Sequence, residues 1–185
     1  MSTRQNDNVV GGSLVGRDLT VNNNYPVVVS TQIKLLCERL SQEGEISANP
    51  ATEIIEDLQH YLNKPARELG RTLTEKLVAS NRAELVEFAQ EAKERAMKKI
   101  MRYQSSRTAQ EIFAYVLGDL HTRFLLHVSP LIAAQATRSE VDAAMQEKVI
   151  APIVDAVDPG PLILNSSLVL ALLFYLAGNC HIKWD

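Results

Sequence analysis

Four histidines, His60, His121, His127 and His181, and two cysteines, Cys37 and Cys180, are the side chains of this sequence best suited to bind a metal or move a proton. Their spacing argues against both. There is no Cys-x-x-Cys, no His-Glu-x-x-His and no Asp-rich loop, and the adjacent pair Cys180-His181 is a poor arrangement for two ligands of one tetrahedral site. No metal and no cofactor is expected. Tyr115, Asp119, Arg123 and His127 recur at intervals of four and so share a helix face, but nothing beside them supplies a nucleophile or an oxyanion site. That row reads as a solvated or interface face, with an enzyme built on Asp119, Arg123 and His127 as the weaker reading. Gly11-Gly12-Ser13-Leu14-Val15-Gly16 lacks the Gly-Lys-Ser/Thr ending and the following helix of a phosphate loop.

The remaining chemistry is electrostatic. Lys93, Arg95, Lys98, Lys99, Arg102 and Arg107 form the strongest charge cluster, opposed within that window only by Glu94, and such a cluster can grip phosphates. Glu91 precedes Arg95 by four residues and Glu94 precedes Lys98 by four, the favourable orientation for helical ion pairs. Cations also belong at a helix C-terminus. Two readings therefore stand: a solvated helix end, or a nucleic-acid contact centred on Lys98, Lys99 and Arg102.

The elements that position these residues follow from composition and pattern. The chain has 185 residues, 46% of them hydrophobic and 22% charged, with 19 Lys plus Arg against 22 Asp plus Glu for a formal net charge of -3. These values exclude wholesale disorder and give no overall basic excess for nucleic acid. Residues 1–7 carry no apolar signal region, and with two distant cysteines a reducing cytoplasm with free thiols is expected. The longest apolar run, Leu168 to Ala177, is about half the roughly 20 residues of a membrane span and predicts a buried core helix.

Residues 1–24 stand apart as a module rich in Asn, Gly and Val. Three five-residue units, Asn8 to Gly12, Ser13 to Arg17 and Asp18 to Asn22, place Val9, Leu14 and Leu19 in register. A period of five fits neither an α-helix nor a flat strand, but it suits the rungs of a β-solenoid, with glycines at the corners and apolar side chains stacked inward. One copy buries too little surface to offset its ordering entropy. Several copies could close a shared column, which predicts homo-oligomerisation through Val9, Val10, Leu14, Val15, Leu19 and Val21. A flexible tail or a lone hairpin is the competing reading.

Residues 25–48 read as a linker and first helix: a β-type run at 25–29, a cap at Ser30 or Thr31, then Ile33, Leu36, Cys37 and Leu40 at helical spacing. Residues 49–185 read as a helical domain with an extended C-terminal tail. Within it Asn49-Pro50 predicts a helix start, Pro65 another, and Asn81 to Glu84 and Thr108 to Glu111 predict capping boxes. Pro130 is expected to interrupt a helix, Pro152 to kink one, and Gly178 to end the last. The fold class expected is therefore all-α, a bundle of about seven helices behind a short N-terminal β-solenoid-like segment. In the tail, Ile182 and Trp184 alternate with polar groups. That segment either lies on its own bundle or docks onto a partner through His181, Ile182, Lys183 and Trp184, tryptophan being a common interface anchor.

The region from about Ile54 to Asp185 is familiar. Leu69 with Leu73-Thr74-Glu75-Lys76-Leu77, then Ala92-Lys93-Glu94, then Phe124 with Pro130-Leu131-Ile132, and above all the block Tyr175 to Asp185, resemble the C-terminal domains of bacterial ABC three-component systems, which are predicted antiphage systems. The resemblance implies a domain fused behind an effector and coupled to a small middle component and an ABC-type ATPase. Here about 24 residues of repeat stand where the effector would be. Segments similar to Val10 to Val21 also precede bacterial defence modules, where they look like short multimerising β-coils. The function expected is thus a non-enzymatic oligomeric scaffold or adaptor with a protein partner and no membrane. The alternative is a nucleic-acid-associated sensor.

Overall fold

The computed structural model describes residues 29–43, 51, 53–63, 71–157 and 160–184. The repeat residues Val9, Val10, Leu14, Val15, Leu19 and Val21, and the expected helix starts at Asn49-Pro50 and Pro65, lie outside the described residues. Seven helices run through the described residues: α1 (Val29–Glu43), α2 (Glu56–Leu62), α3 (Leu73–Ala79) and α4 (Val86–Arg102), the last entered through a 3-10 turn at Ala83–Leu85. Next come α5, made of Arg107–Arg123, a π-helical stretch Phe124–Val128 and Ser129–Ala133, and α6, made of Arg138–Ala144, a π-helical stretch Met145–Ile150 and Ala151–Val157. The last is α7 (Ser166–Gly178). The described residues thus form the expected all-α bundle, and none of their helices is long and apolar enough to cross a membrane.

α7 is the axis of the bundle because it is apolar on every face: Leu168, Val169 and all of 171–178 are buried. Each fully buried leucine or phenylalanine here contributes about 1.5–3 kcal/mol. α4 lies along α7 and buries Ala89, Ala92, Ala96 and Ile100 at helical spacing, the three alanines being small enough to permit close approach. α5 covers another side with Ile112, Phe113, Val116, Leu117 and Leu120. α1 packs Ile33, Cys37 and Leu40 against α5 and the end of α6, within the same core.

Several boundaries differ from the sequence expectation, each for a chemical reason. The capping boxes are at Thr72–Glu75 and Thr137–Glu140, where each hydroxyl accepts from the glutamate N–H and each carboxylate accepts from the threonine N–H. The box expected at Asn81 is absent because Asn81 takes a left-handed φ of 56° and ends α3 instead. The box expected at Thr108 is absent because Ser106 caps α5, leaving Thr108 to donate to the Glu43 carboxylate. α1 already includes Ser30 and Thr31, so neither is its cap, and α7 starts at Ser166 behind the cap Asn165, two residues before the apolar run begins.

The two prolines are absorbed by helix widening. Pro130 and Pro152 each follow a π-helical stretch by one or two residues, and the two stretches pack against each other. A proline in a regular helix would abandon the carbonyl four residues back and clash with it, whereas a π turn realigns that carbonyl. For Pro152 that carbonyl is Lys148, which accepts from Arg123 Nη1 at 3.4 Å.

Gly178 is the last residue of α7 rather than the left-handed residue beyond it; that role belongs to Cys180, with φ 66°. The His181 N–H then donates to the Leu176 carbonyl at 2.9 Å, the long bond of a Schellman turn. A Cβ at Gly178 would lie 2.7 Å from Lys93 Nζ and 2.8 Å from its Cδ and Cε, so a larger residue there would displace the end of that lysine side chain.

Candidate functional site

The Schellman turn reverses the chain so that the block 179–184 runs back over the bundle and is tied to α2, α3, α5 and α7. Asn179 Nδ2 donates to the Tyr61 carbonyl at 3.1 Å and the Leu62 carbonyl at 3.4 Å, closing the C-terminal end of α2. His181 Nε2–H donates to the Asn63 carbonyl at 3.1 Å. From the other side, the fully buried Lys76 of α3 donates to the Ala177 carbonyl at 2.7 Å and the Ile182 carbonyl at 3.4 Å, so a cation caps the C-terminus of α7. Lys76 was not singled out from sequence. Its burial signal, a place in step with Leu73 and Leu77 on the inner face of α3, was available there.

Of the four tail residues expected to meet a partner, Lys183 is exposed and His181 half-buried, while Ile182 and Trp184 are interior. Trp184 is only 4% exposed: it stacks on Phe174 at 6.0 Å between centroids, meets Phe124 edge-on at 5.7 Å, and lies 5.2 Å beneath the Arg82 guanidinium carbon. The tail lies on its own bundle, because these aromatic and cation–π contacts offer the indole more than solvent does. Arg82 is held in turn by Asp142 at 2.7 Å and by the Ser80 carbonyl at 3.0 Å. Trp184 Nε1 is buried and has no hydrogen-bond partner among the described residues.

An open groove of about 200 Å³ remains beside the indole, lined by Leu85, Phe88, Met145, Ile150, Leu170 and Phe174 among others. Phe88 is 45% exposed at its rim and packs edge-on to Phe174 at 6.0 Å. No spacing rule marks Phe88 as exposed, since it falls in the apolar stripe of α4.

The fold also brings together three histidines that are far apart in the chain. The His181 ring lies 5.3 Å from that of His60 and 6.0 Å from that of His121, with Tyr61 among them. Among the described residues no three His, Cys, Asp or Glu side chains are arranged to hold a metal ion. Burial first, then repulsion from the neighbouring imidazoles, holds His121 and His181 below the usual histidine value, so the fold favours their neutral forms. The unfolded chain therefore takes up these protons first, so their contribution is full above about pH 6.5 and is lost as pH falls toward the folded values. Urea midpoints are expected to fall between pH 7.5 and 5.5, and to fall less in His181→Gln. Equal pH dependence in the two proteins would show that this cluster does not set the slope.

The row on α5 is structural where it is buried. Arg123 Nε pairs with Asp119 at 2.8 Å and its Nη1 caps the Lys148 carbonyl, while His127 is exposed. The basic cluster divides. Lys98 pairs with Glu94 at 3.4 Å as expected, but Arg95 donates to Ser167 Oγ at 2.9 Å, Lys99 sits 5.3 Å from the Tyr103 ring centroid, and Arg107 pairs with Glu111 at 3.2 Å. Arg95, Lys98, Lys99 and Arg102 line one groove. Cys37 and Cys180 are both buried and unbridged, and burial raises the Cys37 thiol above its ordinary value.

No curated protein and no solved structure matches the chain significantly. Residues 72–184, which run from the Thr72 cap of α3 through Trp184, match the family model for C-terminal domain 9 of the ABC-three component (ABC-3C) systems, and the chain belongs to that family.

Proposed function

We propose that this protein is a non-enzymatic adaptor of a bacterial antiphage ABC three-component system, acting in the cytoplasm. The N-terminal repeat gathers copies of the chain, and the helical domain holds an effector, middle component or ABC-type ATPase of the same system. Family membership carries the reading: a domain of a multi-component system has partner chains to meet. The groove beside Trp184 supports it, because an exposed Phe88 over an apolar trough offers a seat for a partner's apolar side chain.

Two measurements test the two halves. Light scattering is expected to give a defined oligomer for the full chain and a monomer for a version lacking residues 1–24; monomers in both cases would remove the gathering role. Co-expressed with the ATPase and middle component of its own system, the tagged chain is expected to retain at least one of them. Phe88→Asp is expected to weaken that association at least tenfold, about 1.4 kcal/mol. Retention of neither component by the unaltered chain would overturn the adaptor role, and undiminished retention by Phe88→Asp would move the interface elsewhere.

A further inference from the structure

Arg95, Lys98, Lys99 and Arg102 occupy positions i, i+3, i+4 and i+7 of α4, one face of a helix. The fold sets that face opposite the segment leading into α7, so the four cations form one wall of a groove of about 390 Å³ whose other wall is Ile163, Asn165, Ser167 and Leu168. No acidic side chain is among these lining residues. Among the described residues the carboxylate paired with them is Glu94, which is 72% exposed and faces a Lys98 that is 79% exposed, an ion pair that water and salt readily dissolve. Arg95 is committed, since its guanidinium is tied to Ser167 Oγ and fixes the two walls against each other. Lys98, Arg102 and Lys99, whose ammonium lies over the Tyr103 ring, line the groove and face an occupant.

We infer that this groove binds the phosphodiester backbone of a nucleic acid. The occupant must be anionic along a line rather than at a point. Lys98 to Arg102 spans about 6 Å of helix axis at ~1.5 Å per residue, close to the roughly 6.8 Å of axis covered by three successive phosphates of one duplex strand. The chain's net charge of -3 works against diffuse attraction, so binding is confined to this groove and is modest in strength. Contacts to backbone phosphates alone carry no base information, so binding is independent of sequence. The adaptor role does not depend on this site, and the site stands or falls separately from it.

Fluorescence anisotropy of labelled 20-mer oligonucleotides, single- and double-stranded, against the full chain tests the site. With three available cations the logarithm of affinity is expected to fall against the logarithm of salt with a slope of about -3 for duplex or about -2 for single strand. Lys98→Glu/Lys99→Glu/Arg102→Glu is expected to weaken binding more than tenfold and bring the slope toward zero. Lys148→Glu, an equal change per site on an exposed lysine outside the groove, is expected to leave both unchanged. Because the substituted residues are exposed or half-buried on α4, a retained circular dichroism spectrum and melting temperature separate loss of the site from loss of the fold. Absence of binding at 50 mM salt, equal weakening by Lys148→Glu, or binding to anionic vesicles with none to either oligonucleotide would each overturn the inference.

Discussion

Trp184→Ala is expected to destabilise the domain by about 3–5 kcal/mol, the range for removing a large aromatic from a packed interior. The indole is surrounded by Phe124 of α5, Phe174 of α7 and the Arg82 guanidinium, so its loss opens a cavity where three elements meet. It also leaves Arg82, buried and paired only with Asp142 and the Ser80 carbonyl, beside that cavity. Because Trp184 is the single tryptophan, urea unfolding should be followed by circular dichroism rather than by intrinsic tryptophan emission. Trp184→Phe is the informative companion. It keeps most of the aromatic packing and removes Nε1, which has no partner to lose, so a loss of only about 1 kcal/mol is expected. A Trp184→Ala protein with an unchanged urea midpoint would mean that the tail is not part of the folded core.

Lys76→Ala is the second large effect. The substitution leaves the Ile182 carbonyl without its lysine donor, takes the shorter lysine bond from the Ala177 carbonyl, which keeps its bond from the Cys180 N–H, and removes a buried aliphatic stem, which together are expected to cost about 3 kcal/mol or more. Lys76→Met separates the two causes: it restores the stem and removes only the two lysine hydrogen bonds, for an expected loss of about 1–3 kcal/mol. Lys76 joins α3 to both the end of α7 and the returning tail, so the change should also loosen the turn at Cys180. That thiol is buried in the native protein, and its rate of reaction with a thiol reagent should rise in Lys76→Ala under native conditions. Unchanged thiol reactivity together with an unchanged urea midpoint would show that the lysine is dispensable.

These two residues also explain what makes the block Tyr175 to Trp184 distinctive. Its polar members serve the fold: Asn179 and His181 close the end of α2, the Ala177 and Ile182 carbonyls receive Lys76, and Cys180 supplies the left-handed turn. Two grooves lie along α4, the apolar one with Phe88 near the start of the helix and the basic one with Lys98, Lys99 and Arg102 near its end.

Local pattern determined the helical class, the buried run that became α7, the apolar stripes of α1, α4 and α5, and the basic face of α4. These are properties of neighbours three and four residues apart, and a helix reports them directly in sequence. The resemblance of the terminal block was legible too, since a run of specific residues needs no partner to be recognised. Tertiary structure decided which cap residues were free to cap. Thr108 was taken by Glu43, and Gln110 by the Ile55 N–H and the Glu53 carbonyl, more than fifty residues away in each case. It decided that Pro130 and Pro152 would be accommodated by paired π turns, and that His60, His121 and His181 would meet. Of the two places open to the tail, its own bundle or a partner, tertiary structure chose the bundle and buried Trp184 there. In each case the deciding contact joins segments far apart along the chain, and its free energy exists only once the helices have packed.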